Sequence, residues 1–564
     1  MRCAPVLQVV EDMAVLCSRS GGFEVEDEPI TCAVLEGGPC SACKEMVAFR
    51  RQIKQLEEEL AKLKAKRNTI LTKMNTIHDP LIHKLPPEIG SQIFRFCLPL
   101  PLDFEGFSSW GARDELKPAL LRLGAVCRNW RQLAWTTPDL WENISFSIRP
   151  STIRSRSLAE SPGFLREWLD RSGGLPLNIF FVHYFDYGEY TSSEDDSSSN
   201  SVGCGTSDNP RATIDMVEIA TGLAIEILNS HSGRWRNLHI TADAEIFGRF
   251  SWHTQPNQLV GLELWLTDES QPQNFMIDSE FTPTHLKLDS FPLTSINICW
   301  DKTTHITLCH ISTEECIDIL GRTPHLEYYN ISRLYSYDTG EISSERPMLH
   351  SRLRSLHLSK IHPCHIEEFL GAINLPFLEE WTQDVANYDY GYPVEATVSF
   401  VKRSMCCLKI LILESLDDEL DLNTLLQAIP SLERIHLSFE TEIDVSAMMD
   451  DILARIFRQV PASGSILVEG HTAESFLPHL QFMECSTVWR DPIFSWDRIP
   501  QLYRQGHRRS LVLKTTVEKS DISDETALQF LQLADEGLNL QIFDISVGGY
   551  FLENFRKRMC EQGV

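Results

Sequence analysis

The sequence predicts an α/β protein in which a helical N-terminal part precedes a larger, repeat-built domain around a parallel sheet. Three observations predict this. Apolar residues from Met46 to Ile77 recur at alternating steps of three and four, the spacing of a coiled-coil seam. A dense set of short apolar helical stripes fills residues 79–148. From about residue 231, short strand-like runs recur every ~20–30 residues with helical stretches between them, the period of solenoid repeats.

Whole-chain composition narrows the classes. At 564 residues the chain is too long for one ordinary core, so two or more domains are expected. Hydrophobic residues make up 43% and charged ones 23%, the profile of a globular rather than a disordered protein. A net charge of −28 opposes binding to nucleic acid or anionic membrane, which are also negative. The apolar opening stretch Val6 to Leu16 is interrupted by Glu11 and Asp12, so no secretory signal is expected. No apolar run is long enough to span a bilayer. The 16 cysteines are scattered, and Cys97, Cys127 and Cys316 sit in apolar stretches, as small buried hydrophobes do. The expected compartment is reducing: cytoplasm, nucleus or both.

Residues 1–45 lack periodicity and are rich in Gly, Pro, Glu and Cys, which predicts a disordered tail. Cys40 and Cys43 have half of a zinc site's spacing, with Cys32 as a third donor. No second pair or nearby His completes a tetrahedral set, so no metal is expected. In residues 46–78, Met46, Phe49, Ile53, Leu56, Leu60, Leu63, Ile70, Met74 and Ile77 take the a and d positions, with Arg67 breaking the series. Glu59 at g and Lys64 at the following e attract across a parallel pair of helices. A homodimer through residues 46–78, a helix folded back on its own chain and a solvated spacer all remain open.

Pro80 ends that helix, and residues 79–148 read as a compact three-helix module. Leu85–Pro86–Pro87–Glu88–Ile89 leads into a helix, because proline suits a first turn, where its missing N–H costs nothing. Ile89, Ile93, Phe96 and Cys97 share one face. A second helical stripe carries Leu120, Leu123, Cys127, Trp130 and Ala134. A short turn, Thr137–Pro138–Asp139–Leu140–Trp141, has a threonine cap and a proline at its first helical position. The stretch His83 to Ile144 resembles an F-box: Leu–Pro–Pro–Glu–Ile, then Val–Cys–Arg–x–Trp–Arg–x–Leu–Ala, then Thr–Pro–x–Leu–Trp. The resemblance implies docking onto the linker subunit of an SCF ubiquitin ligase, the S-phase kinase-associated protein, and through it a cullin. Carried over by position, the linker-binding residues are Leu85, Pro86, Ile89, Ile93, Leu120, Val126, Cys127 and Trp130. Trp141 reads better as core. An inserted loop, residues 99–117, carries Phe104, Phe107 and Trp110. With the coiled coil before it, it resembles F-box proteins of mushroom-forming fungi.

Residues 149–230 read as a linker containing the strand candidate Leu177 to Val182 and an acidic serine-rich loop at 191–210. Across 231–545, aligned units such as Leu353–Arg–Ser–Leu356–His–Leu358 place strands at 238, 262, 286, 306, 329, 356, 381, 411 and 435. Pro324–His–Leu–Glu, Pro376–Phe–Leu–Glu and Pro430–Ser–Leu–Glu repeat a further signature. This spacing predicts a degenerate leucine-rich-repeat-like solenoid with a parallel sheet, its consensus asparagine mostly missing. An α/β domain without a solenoid is the alternative. Residues 546–564 are expected to be a tail.

No phosphate loop, dinucleotide fingerprint, zinc-protease motif or nucleophile elbow occurs. His362, Cys364 and His365 sit at an expected strand-to-helix turn and read as surface residues rather than ligands. No catalytic residue, metal or cofactor is expected. The function expected is therefore that of a substrate-recognition adaptor of a ubiquitin ligase, with an unknown target protein on the repeats. The alternative is a binding scaffold outside the ligase.

Overall fold

The structure, a computed structural model, describes residues 40–78, 85–98, 119–148, 161–183, 210–252, 259–267, 276–278, 281–335, 347–384, 392–416, 421–439, 445–457, 476–487, 494–505, 512–517, 522–537, 540–544 and 549–562. The loops at 99–117 and 191–209 and most of the N-terminal tail lie outside these residues. Two compact units result: Met1–Gly90 with Val126–Trp130, and Ser91–Ala125 with Arg131–Val564.

The first unit is dominated by α1, Ser41–His78, a helix of 38 residues and hence roughly 57 Å long at 1.5 Å per residue. It contains neither glycine nor proline and is rich in Ala, Glu, Lys and Leu, the strong helix formers. The helix starts five residues before the heptad series. The unit also holds Leu85, Pro86 and the first turn of α2, Pro87–Cys97. Backbone N–H groups of Ile89 and Gly90 donate to Pro86 O at 3.0 and 3.1 Å, so the helix is started by the prolines as expected. The second stripe is not one helix. Residues 119–126 are helical, Cys127 breaks the run, and α3, Arg128–Thr136, begins again. The Cys127 thiol takes up the Trp130 N–H at 3.4 Å, which explains how the break is tolerated.

The second unit is built on a 15-stranded sheet whose strands neighbour one another in chain order. These are β1 Asn143–Ile148, β2 Leu177–His183, β3 Trp235–Ala242, β4 Gly261–Leu266, β5 His285–Asp289, β6 His305–Ser312, β7 Tyr328–Tyr335, β8 Ser355–Ser359, β9 Glu380–Asp384, β10 Ile410–Leu416, β11 Arg434–Phe439, β12 Phe482–Thr487, β13 Val512–Val517, β14 Leu540–Asp544 and β15 Gly549–Tyr550. All neighbours pair in parallel except β14 and β15. Parallel neighbours need crossovers, supplied mainly by α4 Pro162–Arg171, α5 Pro210–Asn229, α6 Thr313–Arg322, α7 Pro363–Ala372, α8 Val394–Ser404, α9 Leu422–Gln427, α10 Ser446–Phe457, α11 Ile499–Gln505 and α12 Asp524–Asp535. A final helix, α13 Phe551–Gln562, follows β15.

The nine aligned sequence positions stand directly opposite one another, from Leu238 and Leu262 through to Leu411 and Ile435. The column continues through Ile179 and Ile144 at one end and Met483, Leu513 and Leu540 at the other, and all these side chains are buried. A second apolar column lies two residues on, as the period of a strand requires. Its polar members are Gln383 and Thr515, both buried; Gln383 Oε1 accepts from Tyr392 Oη at 3.0 Å.

Two expectations need correction. Residues 149–230 are not merely a linker: they contain α4, β2 and α5, and the sheet begins at Asn143. Residues 546–564 are not a tail, because β15 and α13 lie there. The aligned period missed the start of the sheet and stops at β11, since the steps from β1 to β3 and from β11 to β12 are longer than one repeat. The runs Leu511–Leu513 and Leu540–Ile542, which read as further strands, overlap β13 and β14, whereas Ile466–Val468 lies outside the described residues.

A finer regularity closes the strands. Ser290, His310, Arg333, Lys360 and Ser415 all have φ between 50° and 56°; Ser290 and Lys360 follow the last residues of β5 and β8, and His310, Arg333 and Ser415 lie within the last three residues of β6, β7 and β10. One residue in the left-handed region per strand is a bulge. It turns that side chain outward and returns the next one to the core: Phe291, Ile311, Leu334, Ile361 and Leu416 are all buried.

Candidate functional site

Two regions carry candidate functional residues. Along α2, Ile89, Ile93 and Phe96 are spaced i, i+4 and i+7, so they share one side of the helix. They are 42%, 40% and 89% exposed, while Phe94 is buried. Pro86 is exposed and Leu85 half-buried. Val126 is 49% exposed, and Cys127 and Trp130 are half-buried. Of the expected linker contacts, Leu85, Pro86, Ile89, Val126, Cys127 and Trp130 belong to the first unit, and Ile93 and Leu120 to the second. Leu120 departs from the expectation. It is fully buried, because it lies on the inner side of the helical segment 119–126, and it acts as core rather than as a surface contact.

The rest of this module is held by aromatic packing within the second unit. Trp141 is fully buried, and its Nε1–H donates to Ala134 O at 2.8 Å. Trp168 of α4 donates from Nε1 to Trp141 O at 3.0 Å, and the two rings meet edge-on at 4.8 Å. The Arg171 guanidinium covers the rings of Trp135 and Trp141 at 4.7 and 4.6 Å and pairs with Glu167. Thr137 does not cap the turn Pro138–Leu140 with its side chain. Its hydroxyl instead donates to Leu133 O at 2.7 Å, which leaves its oxygen to accept from Ser91 Oγ at 2.8 Å.

The second region is the sheet face opposite the two apolar columns. A groove of about 580 Å³ there is lined by residues that include Trp265, His285, Asp289, His305, Tyr328 and Asn330. Thr284 donates to Val260 O at 3.1 Å and Thr304 to Thr284 O at 3.2 Å. Each hydroxyl has one proton, so each must accept from the adjacent histidine Nδ1, at 2.9 Å for His285 and 2.8 Å for His305. Neutral His285 and His305 therefore carry their lone pair on Nε2, and their rings stack at 4.4 Å. Tyr328 and His357 extend the row. Beside it lies a buried ionic group. Glu263 Oε2 lies 2.8 Å from His239 Nδ1, and its Oε1 lies 3.2 Å from Lys287 Nζ and accepts from Trp265 Nε1 at 3.0 Å.

Asp289, Cys309 and His310 bring three donor atoms within 4.8 Å of one another. His310 Nε2 lies 2.9 Å from Arg333 Nη1, and arginine only donates, so the ring proton sits on Nδ1, 3.0 Å from Asp289 Oδ1. Both ring nitrogens are thus engaged. Burial also pushes the Cys309 thiol above its ordinary pKa, away from the thiolate a nucleophile or ligand needs. The cluster reads as a tie between β5, β6 and β7. Sequence reasoning missed it because its members lie a repeat apart, although aligning Asp289 with Cys309 was the available signal. The His362–Cys364–His365 run has a local role: His362 caps α7, its ring accepting the Cys364 N–H.

The chain matches the F-box-like family over residues 82–147, so an F-box-like domain occupies that stretch. No curated protein matches the chain in sequence. Among the described residues no helix is long and apolar enough to cross a membrane.

Proposed function

We propose that this chain is a substrate-recognition adaptor of an SCF-type ubiquitin ligase. Its F-box docks the linker subunit, the S-phase kinase-associated protein, and through it a cullin, while the sheet holds a target protein. The observation that carries this reading is the F-box-like match over 82–147 on a helix that turns Ile89, Ile93 and Phe96 to solvent. F-box domains bind linker subunits of this kind, and so large an apolar surface on a small helical module marks an interface. Leu85, Pro86, Ile89, Ile93, Val126, Cys127 and Trp130 are the proposed contacts; Leu120 is buried and is not among them. The sheet is read as a leucine-rich-repeat-like solenoid, supported by one register-matched strand per aligned unit. A long helix ahead of the F-box supports the likeness to the F-box proteins of mushroom-forming fungi.

In this role the chain performs no covalent step. It raises the effective concentration of target lysines near the charged ubiquitin carrier, and other subunits do the chemistry. The working compartment is the cytoplasm, the nucleus or both. Co-purification with the linker subunit tests the reading. Wild type is expected to retain it, and a Leu85→Ala, Pro86→Ala double variant to lose it. A folded wild type that retains no linker removes the ligase role.

A further inference from the structure

Helix α1 turns its apolar seam to solvent: Phe49, Ile53, Leu56, Leu60 and Leu63 are 51–64% exposed. Helices in water owe most of their stability to packing of an apolar face, so a seam of this length calls for a partner. Charge along the helix says which. Glu57, Glu58 and Glu59 precede Lys62, Lys64, Lys66 and Arg67, and all seven are exposed. A parallel pair in register gains only the Glu59–Lys64 attraction from these charges, and Arg67, at an a position, meets its own copy inside the seam. An antiparallel pair centred between Ala61 and Lys62 removes that clash and brings Glu57, Glu59, Lys64 and Lys66 all into opposite-sign pairs. Leu60 then faces Leu63, Ile53 faces Ile70, and Arg67 faces Leu56 next to the acidic run. Glu57 to Glu59 lie alongside Lys64 and Lys66 of the other helix.

We propose that α1 pairs with α1 of a second copy of this chain, antiparallel about that centre. The seam is its own complement when reversed, in apolar spacing and in charge order, which identifies the occupant as a second copy. At the g positions Glu59 of one copy meets Lys66 of the other, twice by symmetry; at the e positions Glu57 meets Lys64.

Sedimentation equilibrium of the purified full chain tests this without any linker subunit, so its outcome is separate from that of the ligase reading. Wild type at micromolar concentration is expected at the mass of two chains. A Leu56→Lys, Leu63→Lys variant is expected at the mass of one, with the thermal unfolding of the sheet unchanged, since both side chains are exposed. Glu59→Lys is expected to weaken the pair roughly three- to tenfold, by turning two weak attractions into repulsions. Adding Lys66→Glu restores it; adding Lys64→Glu instead does not. A monomeric wild type, a dimer that survives the seam substitutions, a mass of three or more chains, or rescue by Lys64→Glu in place of Lys66→Glu overturns the proposal.

Discussion

A Cβ built on Gly124 would lie 2.0 Å from Trp135 Cζ3 and 2.4 Å from Cη2, so only glycine fits where the indole crosses this backbone. Gly124→Ala is expected to cost about 1–3 kcal/mol, as overpacking of a core does, read as a lower denaturant midpoint. His350 shows a different constraint. It is buried, its Nδ1 accepts the Leu353 N–H at 3.1 Å, and its Nε2–H donates to Thr323 O at 2.9 Å. Only the neutral ring satisfies both. Burial lowers the pKa of His350, and likewise of His183 and His357, from the ordinary 6.5. The folded state therefore stays neutral at these sites to lower pH than the unfolded chain does. Above pH 6.5 the difference vanishes. As pH falls through 6.5 the unfolded chain takes up protons first, and stability drops until the folded rings titrate. The denaturant midpoint should fall between pH 7.5 and 5.5; an unchanged midpoint contradicts this assignment. Neither residue was legible in the sequence, because a lone glycine or histidine does not announce which neighbour, folded in from elsewhere, constrains it.

At the scale of the element, the column of left-handed residues shapes the ends of five strands, β5 to β8 and β10. Lys360, at φ 53°, sits where a β-branched side chain is strained. Lys360→Val is expected to destabilise by roughly 1–2 kcal/mol, whereas Lys360→Gly, free of that strain, is close to neutral; equal losses would argue against the bulge. Much of this level was readable in advance. The apolar pairs of each unit located nine strands and their register, because strand side chains alternate with period two and parallel stacking repeats them. The bulge was not: it lengthens the apolar step from two residues to three, as from Leu308 to Ile311, and one such step looks like the end of a strand. The break at Cys127 was hidden because the stripe from Leu120 to Ala134 continues across it at helical spacing.

For the whole molecule, the notable feature is that the sheet starts inside the F-box-like stretch. Strand β1 begins at Asn143, two residues after Trp141, and Asn178 Nδ2 donates to Asn143 Oδ1 at 2.8 Å while Asn237 does the same to Asn178. With Trp168 hydrogen-bonded to Trp141 O, the end of the module and the first strands share one core. Trp168→Ala should cost about 3–5 kcal/mol and lower the unfolding midpoint of the sheet itself; loss confined to linker binding would mean that the two fold separately. The fused start escaped the sequence because long crossovers, 34 residues from Asn143 to Leu177 by numbering, hid β1; the run Leu177 to Val182 was legible as a strand but not as a rung of the sheet. What the sequence did carry was the order and spacing of the F-box residues, and the central claim rests there. Its most direct test is a calorimetric titration of the purified linker subunit into the full chain. Saturable binding at one linker per chain, weakened by at least about 2 kcal/mol in the Leu85→Ala, Pro86→Ala variant, is the predicted result; a folded wild type that gives no binding contradicts the account.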